Sequence, residues 1–223
     1  MLTIVSTPIG NNSDISLRAL EILKNCDTVI GEELRVASTL LKKLGIEKKE
    51  IFELNEHSQK DDLYELVELC QTRNVALISD CGTPVFSDPG ADLIRLCRQK
   101  KITVTTAPGA SSLMALLSLS SQRLDSFVFV GFLPAKKESR QQALNDLKKE
   151  SRNWILMDTP YRLQALLQDL SEIMPNEKAL LGLNLTQPDE LVIEGTMKEI
   201  KKNCPLKEAE FILLKYSNTN SKK

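Results

Sequence analysis

Aromatic side chains are scarce. Six Phe, three Tyr and one Trp supply only 4% of the 223 residues. A core must therefore be filled by Leu, Ile, Val and Ala, and a hydrophobic fraction of 42% is enough to do so. Histidine occurs once, at His57, and the five cysteines, Cys26, Cys70, Cys81, Cys97 and Cys204, include no C-x-x-C pair. That spacing argues against a zinc site, and no metal is expected. An odd set of scattered thiols suits a reducing compartment. No apolar run approaches the ~18 residues of a membrane span. The opening "MLTIVSTPIG" has neither the basic stretch nor the long apolar segment of a signal peptide. A soluble, cytoplasmic protein is expected. Excess charge is missing too: 29 Lys and Arg face 30 Asp and Glu. Bulk charge thus gives no sign of a strongly basic nucleic-acid binder. Two nucleotide fingerprints are also absent. The first loop reads "TPIGNN" rather than G-x-G-x-x-G, and no G-x-x-x-x-G-K-[ST] occurs.

Short β-rich runs recur through the first half: "LTIVS" 2–6, "DTVIG" 27–31, "IFEL" 51–54, "VALIS" 75–79 and "ITVTTA" 102–107. Stretches with helical spacing lie between them, notably 14–25 and 61–73. Strands alternating with helices predict an α/β unit with a mainly parallel sheet. The second half adds "SFVFVGF" 126–132, "NWILMD" 153–158, "ALLGLNL" 179–185, "ELVIEG" 190–195 and "EFILLKY" 210–216, with helical stretches at 137–150 and 161–173. Its last strands are closely spaced, which predicts antiparallel pairing and a mixed sheet. The polar segment "SSQRLDS" 120–126 is the expected boundary, giving domains 1–119 and 120–223. The tail "SNTNSKK" 217–223 is expected to fray.

Glycine and proline are not scattered. Gly10, Gly82, Gly90 and Gly109, with Pro8, Pro84, Pro89 and Pro108, all fall just after expected strands. They create three loops: "STPIGNNSD" 6–14, "SDCGTPVFSDPG" 79–90 and "APGASS" 107–112. In a parallel sheet these emerge at the carboxyl ends of strands, the edge where open α/β sheets bind ligands. Any one loop could be ordinary turn chemistry. Three on one edge favour a ligand site, because glycine admits close approach and proline stiffens the chain.

These motifs, "TPIGN" followed by "DISLRALEIL", "SDCGTPVFSDPG", "APGASS", "GFLP", "DTPYRLQALLQDL" and "LTQPDE", resemble the ribosomal RNA small subunit methyltransferase I family, of the tetrapyrrole-methylase class. The similarity runs over about residues 2–215. The resemblance implies two α/β domains with S-adenosylmethionine (SAM) in the cleft between them, a homodimer and no metal. It implies methyl transfer to a ribose 2′-hydroxyl of a cytidine in small-subunit ribosomal RNA. Pro8, Gly10, Asp80, Gly82, Thr83, Val85, Phe86, Ser111, Ser112, Asp158 and Thr159 fall at positions that the resemblance assigns to SAM. Arg35, Lys136, Lys137, Arg140 and Arg162 fall on the acceptor side. The sequence departs from the family at several points. Cys81 replaces the usual Ala, "GEELR" replaces an ending in Glu-Asp-Thr-Arg so that Leu34 stands for Thr, and Gln187 replaces Lys. The basic cluster after "GFLP" is thinned to Lys136, Lys137 and Arg140. These departures thin the RNA side rather than the cofactor side.

Individual residues carry two readings each. Asp80 and Asp88 either cap turns or support a polar ligand. Ser111 and Ser112 open a helix, where capping and ligand contact are compatible. Glu32, Glu33 and Arg35 follow the second strand as catalytic candidates: either Glu could accept a hydroxyl proton, and Arg35 could hold a phosphate. His57, beside Glu56, is either structural or a proton-transfer candidate. Arg162 opposes a helix dipole, which hints at a substrate role. The leading expectation is an enzyme, a SAM-dependent rRNA methyltransferase. Alternatives are a paralogue methylating another RNA or a small molecule, and a non-catalytic SAM-binding module.

Overall fold

The computed structural model describes residues 1–217. The tail expected to fray lies outside the described residues from 218 onward. The chain divides into two compact units, Met1–Ser111 and Ser112–Lys223. The division falls just before the helix that opens at Ser112, whereas the polar segment 120–126 lies just after it.

The first unit carries β1 (Leu2–Val5), α1 (Leu17–Asn25), β2 (Thr28–Gly31), α2 (Leu34–Lys43), β3 (Glu50–Glu53), α3 (Lys60–Thr72), β4 (Val75–Leu77), α4 (Ala91–Gln99) and β5 (Val104–Ala107). The strands form one parallel sheet in the order β3-β2-β4-β1-β5. Alternate residues bury opposite faces. Leu2, Ile4, Ile30 and Leu77 pack with Leu66, Val67, Cys70, Leu93 and Cys97 from α3 and α4. Val5, Val29, Ala76 and Ile78 pack with Ala19, Leu23, Ala37 and Leu41 from α1 and α2. A strand covered on both faces is buried along its whole length, as the three central strands β1, β2 and β4 are, whereas the edge strands β3 and β5 expose Glu50, Glu53, Thr105 and Thr106. The order sets β4, β1 and β5 side by side. The three Gly/Pro loops are therefore neighbours on one sheet edge.

Two helices of the first unit escape the sequence reading. β2 stops at Gly31, where the run "DTVIG" ends, but the sequence reading places no helix beyond it, and Leu34 starts α2. The reason is packing: Ala37 and Leu41, one turn apart, are buried against the sheet. α4 likewise inserts Leu93 and Cys97 after the long loop.

The second unit carries α5 (Ser112–Ser118), β6 (Phe127–Gly131), α6 (Lys137–Leu147), β7 (Asn153–Asp158), α7 (Leu163–Ile173), β8 (Lys178–Leu183), β9 (Leu191–Thr196), α8 (Met197–Asn203) and β10 (Phe211–Lys215). Its sheet order is β6-β7-β10-β8-β9, with β6 and β7 parallel and the remaining neighbours antiparallel. The short connection after β8 makes the antiparallel β8–β9 pair, as the strand spacing predicts. Trp154, Leu156, Leu181 and Leu213 face a core completed by Leu144, Leu163, Leu167, Leu170 and Ile200 from α6, α7 and α8. α5 packs against β8 and β10, where a Cβ on Gly182 would lie 3.1 Å from a methyl of Leu116.

Candidate functional site

β1 is followed directly by two small hydroxyl residues, Ser6 and Thr7, both almost wholly buried. They stitch the loop cluster together. The Thr7 N–H donates to the Gly82 carbonyl at 2.8 Å. Its hydroxyl is shared between the Ser79 and Gly82 carbonyls, each at 3.2 Å. The Thr83 hydroxyl donates to the Ala110 carbonyl at 3.1 Å. That uses its one proton, so at the 3.0 Å contact between the Ser6 and Thr83 hydroxyls Ser6 is the donor. One relay thus runs from the first loop through the long loop to the loop after β5. The sequence reading chose Pro8 and Gly10 from "STPIG" and passed over Ser6 and Thr7. The available signal was a hydroxyl pair at a strand end facing two glycine loops.

The long loop is held in a costly shape. Gly82 (φ +83°), Val85 (φ +74°), Ser87 (φ +69°) and Gly90 (φ +131°) all lie in the left-handed half of backbone space. Left-handed backbone at the non-glycine positions costs on the order of 1–3 kcal/mol each, and for a β-branched Val it is rare. The Val85 side chain packs against the α3/α4 core, which fixes the loop at that point. The glycines play a different part from the one expected. A Cβ on Gly82 would lie 3.2 Å from Ile9 Cγ2, and one on Gly109 would lie 3.0 Å from Ser6 Cβ. At both positions the missing side chain lets one loop approach another. Pro84 is buried, Thr83 is half-buried and Phe86 is half exposed.

Carboxylates gather on the same edge. The backbone N–H of Glu33, just before α2, donates to Asp80 Oδ1 at 3.2 Å. Burial raises the Glu32 carboxyl above its ordinary range, with the charges of Asp80, Asp88 and Glu56 adding to the shift. Asp80 is also raised by burial, against the lowering effect of the Glu33 N–H. Asp88 is raised by burial and by Asp80. His57 and Glu56 form a 3.7 Å pair with both side chains more than four-fifths exposed. Glu32, Asp88 and His57 line one hollow of about 610 Å³, while Pro8, Gly10, Glu33, Arg35 and Asp80 line another of about 560 Å³. The four catalytic candidates therefore divide: Glu32 with His57, Glu33 with Arg35, and Asp80 next to both Glu residues. Ser111 precedes α5 and Ser112 opens it, so they fall in different units.

In the second unit, two expected acceptor contacts are occupied internally. Arg140 is buried. Its Nε and Nη2 each lie 2.7 Å from Asp169 Oδ2, and its Nη1 donates to the Ala135 carbonyl. The Gln141 amide takes the other Asp169 oxygen at 2.9 Å. Arg162 donates to the carbonyls of Leu133 and Pro134 and pairs with Asp158 Oδ1 at 2.9 Å. Two guanidiniums thus hold three successive carbonyls of "GFLPA" from inside. Removing one partner of such a buried pair typically costs about 3–5 kcal/mol. Arg140 is corrected from an RNA contact to an internal brace, because its charge is already neutralised and desolvated. Lys136 and Lys137 are exposed.

Asp158 is buried at the end of β7, and burial raises its carboxyl against the lowering effects of the Thr159 N–H and Arg162. Asp158 Oδ2, Thr159 Oγ1 and Arg162 Nε are buried with no hydrogen-bond partner among the described residues. A polar ligand would satisfy them. A second strained turn, Asn184 (φ +47°) and Thr186 (φ +67°), follows β8. The Asn184 side chain braces it through Asp189 and the Glu210 N–H. Among the described residues, no group of three or more His, Cys, Asp or Glu side chains is arranged for a metal ion, and no helix is long and apolar enough to cross a membrane.

This chemistry fits SAM. Glu32, Asp80 and Asp88 crowd like charges in partly buried positions, and SAM brings a sulfonium and an ammonium to set against them. The carboxylates have a pH signature. Glu32 titrates higher folded than its ordinary 4.5. The stability tied to its proton is therefore fully present below about 4.5 and is lost as pH rises through the folded value. Glu32→Gln, which mimics the protonated form, is expected to raise the melting temperature of the ligand-free protein at pH 7. The gain should shrink as pH falls towards 4. A variant less stable than the parent at pH 7 would contradict this.

Residues 1–201 match the family described as Tetrapyrrole (Corrin/Porphyrin) Methylases. The chain is 38% identical over 203 residues to Ribosomal RNA small subunit methyltransferase I of Haemophilus influenzae, covering 90% of this chain and 71% of the relative. It is 34% identical over 215 residues to the protein of the same name from Leptospira biflexa, covering 96% and 90%. Among solved structures, diphthine synthase superposes with a TM-score of 0.71 at 16% identity, over 99% of this chain and 90% of that one, which shows a shared fold. With the loop cluster on its sheet edge and relatives matched across both units, the chain belongs to the tetrapyrrole methylases and, within them, to the ribosomal RNA small subunit methyltransferase I family of SAM-dependent methyltransferases.

Proposed function

We propose that this protein transfers a methyl group from SAM to the ribose 2′-hydroxyl of a cytidine in small-subunit ribosomal RNA, acting as a homodimer. The observation that carries the reading is identity of 34–38% across 90–96% of the chain to relatives named for that RNA. The match includes the second unit as well as the cofactor loops.

When bound, SAM supplies an electrophilic methyl on a sulfonium. The chain's own residues do the rest. The strained 79–90 loop offers backbone N–H and C=O groups, and Thr7, Ser6 and Thr83 hold them still, so little reorganisation is needed on binding. Asp80 and Asp88 favour the cationic centre. Glu32 is the base candidate best suited to take the proton leaving the hydroxyl, because its raised affinity for protons makes it a stronger base than an ordinary carboxylate. His57, with an exposed side chain paired only with Glu56, is less suited to work in a desolvated site. In the second unit, Asp158 and Thr159, with buried side-chain oxygens unpartnered among the described residues, serve as candidate contacts for a polar ligand. Lys136 and Lys137 serve as phosphate contacts.

Mass mapping of small-subunit rRNA from a deletion strain tests the acceptor. Loss of one 2′-O-methylcytidine, restored by the parent gene, is expected; an unchanged methylation map would exclude the reading. In the same assay Lys136→Ala with Lys137→Ala should raise KM for small subunits and leave the SAM Kd unchanged. Equal methylation across a salt series would remove these lysines from the acceptor surface. For the dimer, light scattering at micromolar concentration should return twice the chain mass, and a monomer would end that part of the proposal. Thr7→Val keeps the shape but removes the donor to two buried carbonyls, a loss of about 1–3 kcal/mol. Calorimetry is expected to show SAM binding weakened by about tenfold, the equivalent of ~1.4 kcal/mol. Thr7→Ser should recover most of it. Parent-like affinity in Thr7→Val would show that the stitch does not position the cofactor loop.

A further inference from the structure

The hollow of about 560 Å³ beside the loop cluster has two unlike ends. At the loop end stand the carboxylates of Glu33 and Asp80. Along α2 stand Arg35, Thr39 and Lys43, spaced four residues apart and therefore on one stripe of the helix. Pro8, Ile9, Val36 and Leu40 give the hollow an apolar lining. The Thr39 hydroxyl is turned back onto the Arg35 carbonyl at 2.7 Å, leaving the two cations as the stripe's charged groups.

Six arginines, Arg73, Arg95, Arg123, Arg140, Arg152 and Arg162, are ion-paired, while Arg18, Arg98 and most lysines make no ion pair among the described residues, so it is the placing of two such cations along one hollow that sets Arg35 and Lys43 apart. Neither Arg35 nor Lys43 makes an ion pair or a side-chain hydrogen bond among the described residues, although Glu33 is two residues from Arg35. Lys43 does lie in the last turn of α2, where a cation complements the helix dipole. The dipole does not account for Arg35 in the first turn, where a cation is disfavoured.

We propose that this hollow is the track for the single-stranded RNA segment flanking the acceptor nucleotide, with phosphates on Arg35 and Lys43 and a base against the apolar lining. Eight helical residues separate the cations by about 12 Å along the axis. At about 3.4 Å per stacked nucleotide, that distance spans three to four nucleotides. The carboxylates repel phosphate from the loop end, so the polyanionic chain lies along the helix. A neutral ribose hydroxyl, by contrast, can approach Asp80. The hollow therefore selects which part of the strand meets the reacting edge. Lys43, Val36 and Leu40 had no role in the sequence reading, because the helix that aligns them was not foreseen.

This inference rests on the ribosomal RNA reading, and the test separates the two. Small ribosomal subunits purified from the deletion strain are methylated by the parent protein, Lys43→Glu and Lys43→Arg over a salt series, with SAM affinity measured by calorimetry. For Lys43→Glu the expected result is a rise of about tenfold in KM for subunits near physiological salt, with kcat and SAM Kd unchanged. The salt slope should shallow by about 0.7 for each phosphate no longer held. Lys43→Arg should retain the parent KM. Lys43 is exposed, so Lys43→Arg should keep the parent melting temperature, while Lys43→Glu should lose only the small amount that an anion in the last turn of α2 costs against the helix dipole. If Lys43→Glu methylates subunits with the parent KM and salt slope, the track is wrong while the acceptor reading stands. If the parent transfers no methyl to these subunits, both are wrong.

Discussion

The contact between the end of β1 and the long loop after β4 is the constraint on which the first unit's chemistry depends. Thr7 uses both its N–H and its hydroxyl on carbonyls of a loop with four left-handed residues in nine positions. Such a loop would relax if it were free. Here it is tied to a central strand, to a neighbouring loop through Thr83, and to the core through Val85. Strain is retained only where surrounding contacts over-determine it, and it then keeps backbone groups fixed for a ligand. The parallel sheet makes this possible, because the order β4-β1-β5 sets the three loops next to one another.

The second unit solves a similar problem with charge. The "GFLPA" segment has carbonyls that no strand or helix pairs, and Arg140 and Arg162 satisfy three of them from inside. Asp169 and Asp158 neutralise those guanidiniums. The two networks differ in completeness. Both Asp169 oxygens are hydrogen-bonded, whereas Asp158, Thr159 and Arg162 each keep a buried atom unpartnered among the described residues. The first has the character of a brace and the second that of a place awaiting a ligand.

All ten strands correspond to runs visible in the sequence, because a buried strand needs consecutive apolar, β-branched residues and those runs are short and bounded. Four long helices were visible for the same kind of reason. α2 was hidden. Its start carries "EELR", its N-terminal turn makes no side-chain cap, and only two of its residues are fully buried. The Gly/Pro loops revealed the site's location but misled about the glycines, since Gly82 and Gly109 accommodate other loops rather than open space. Arg140 misled in the opposite sense. A cation near a motif looks the same in sequence whether it faces a phosphate or a buried aspartate.

The sequence by itself determined the two α/β halves, the three-loop edge and the membership that the resemblance suggested, because periodicity and turn chemistry are local properties. The tertiary structure decided which polar groups remain free. It spent Arg140 on Asp169, left Arg35 and Lys43 without an ion pair among the described residues, and raised the Glu32, Asp80 and Asp88 carboxyls by burial and the repulsion of neighbouring carboxylates. Those outcomes depend on distances between residues far apart in the chain, and electrostatic energy is fixed by distance and desolvation, not by order in sequence.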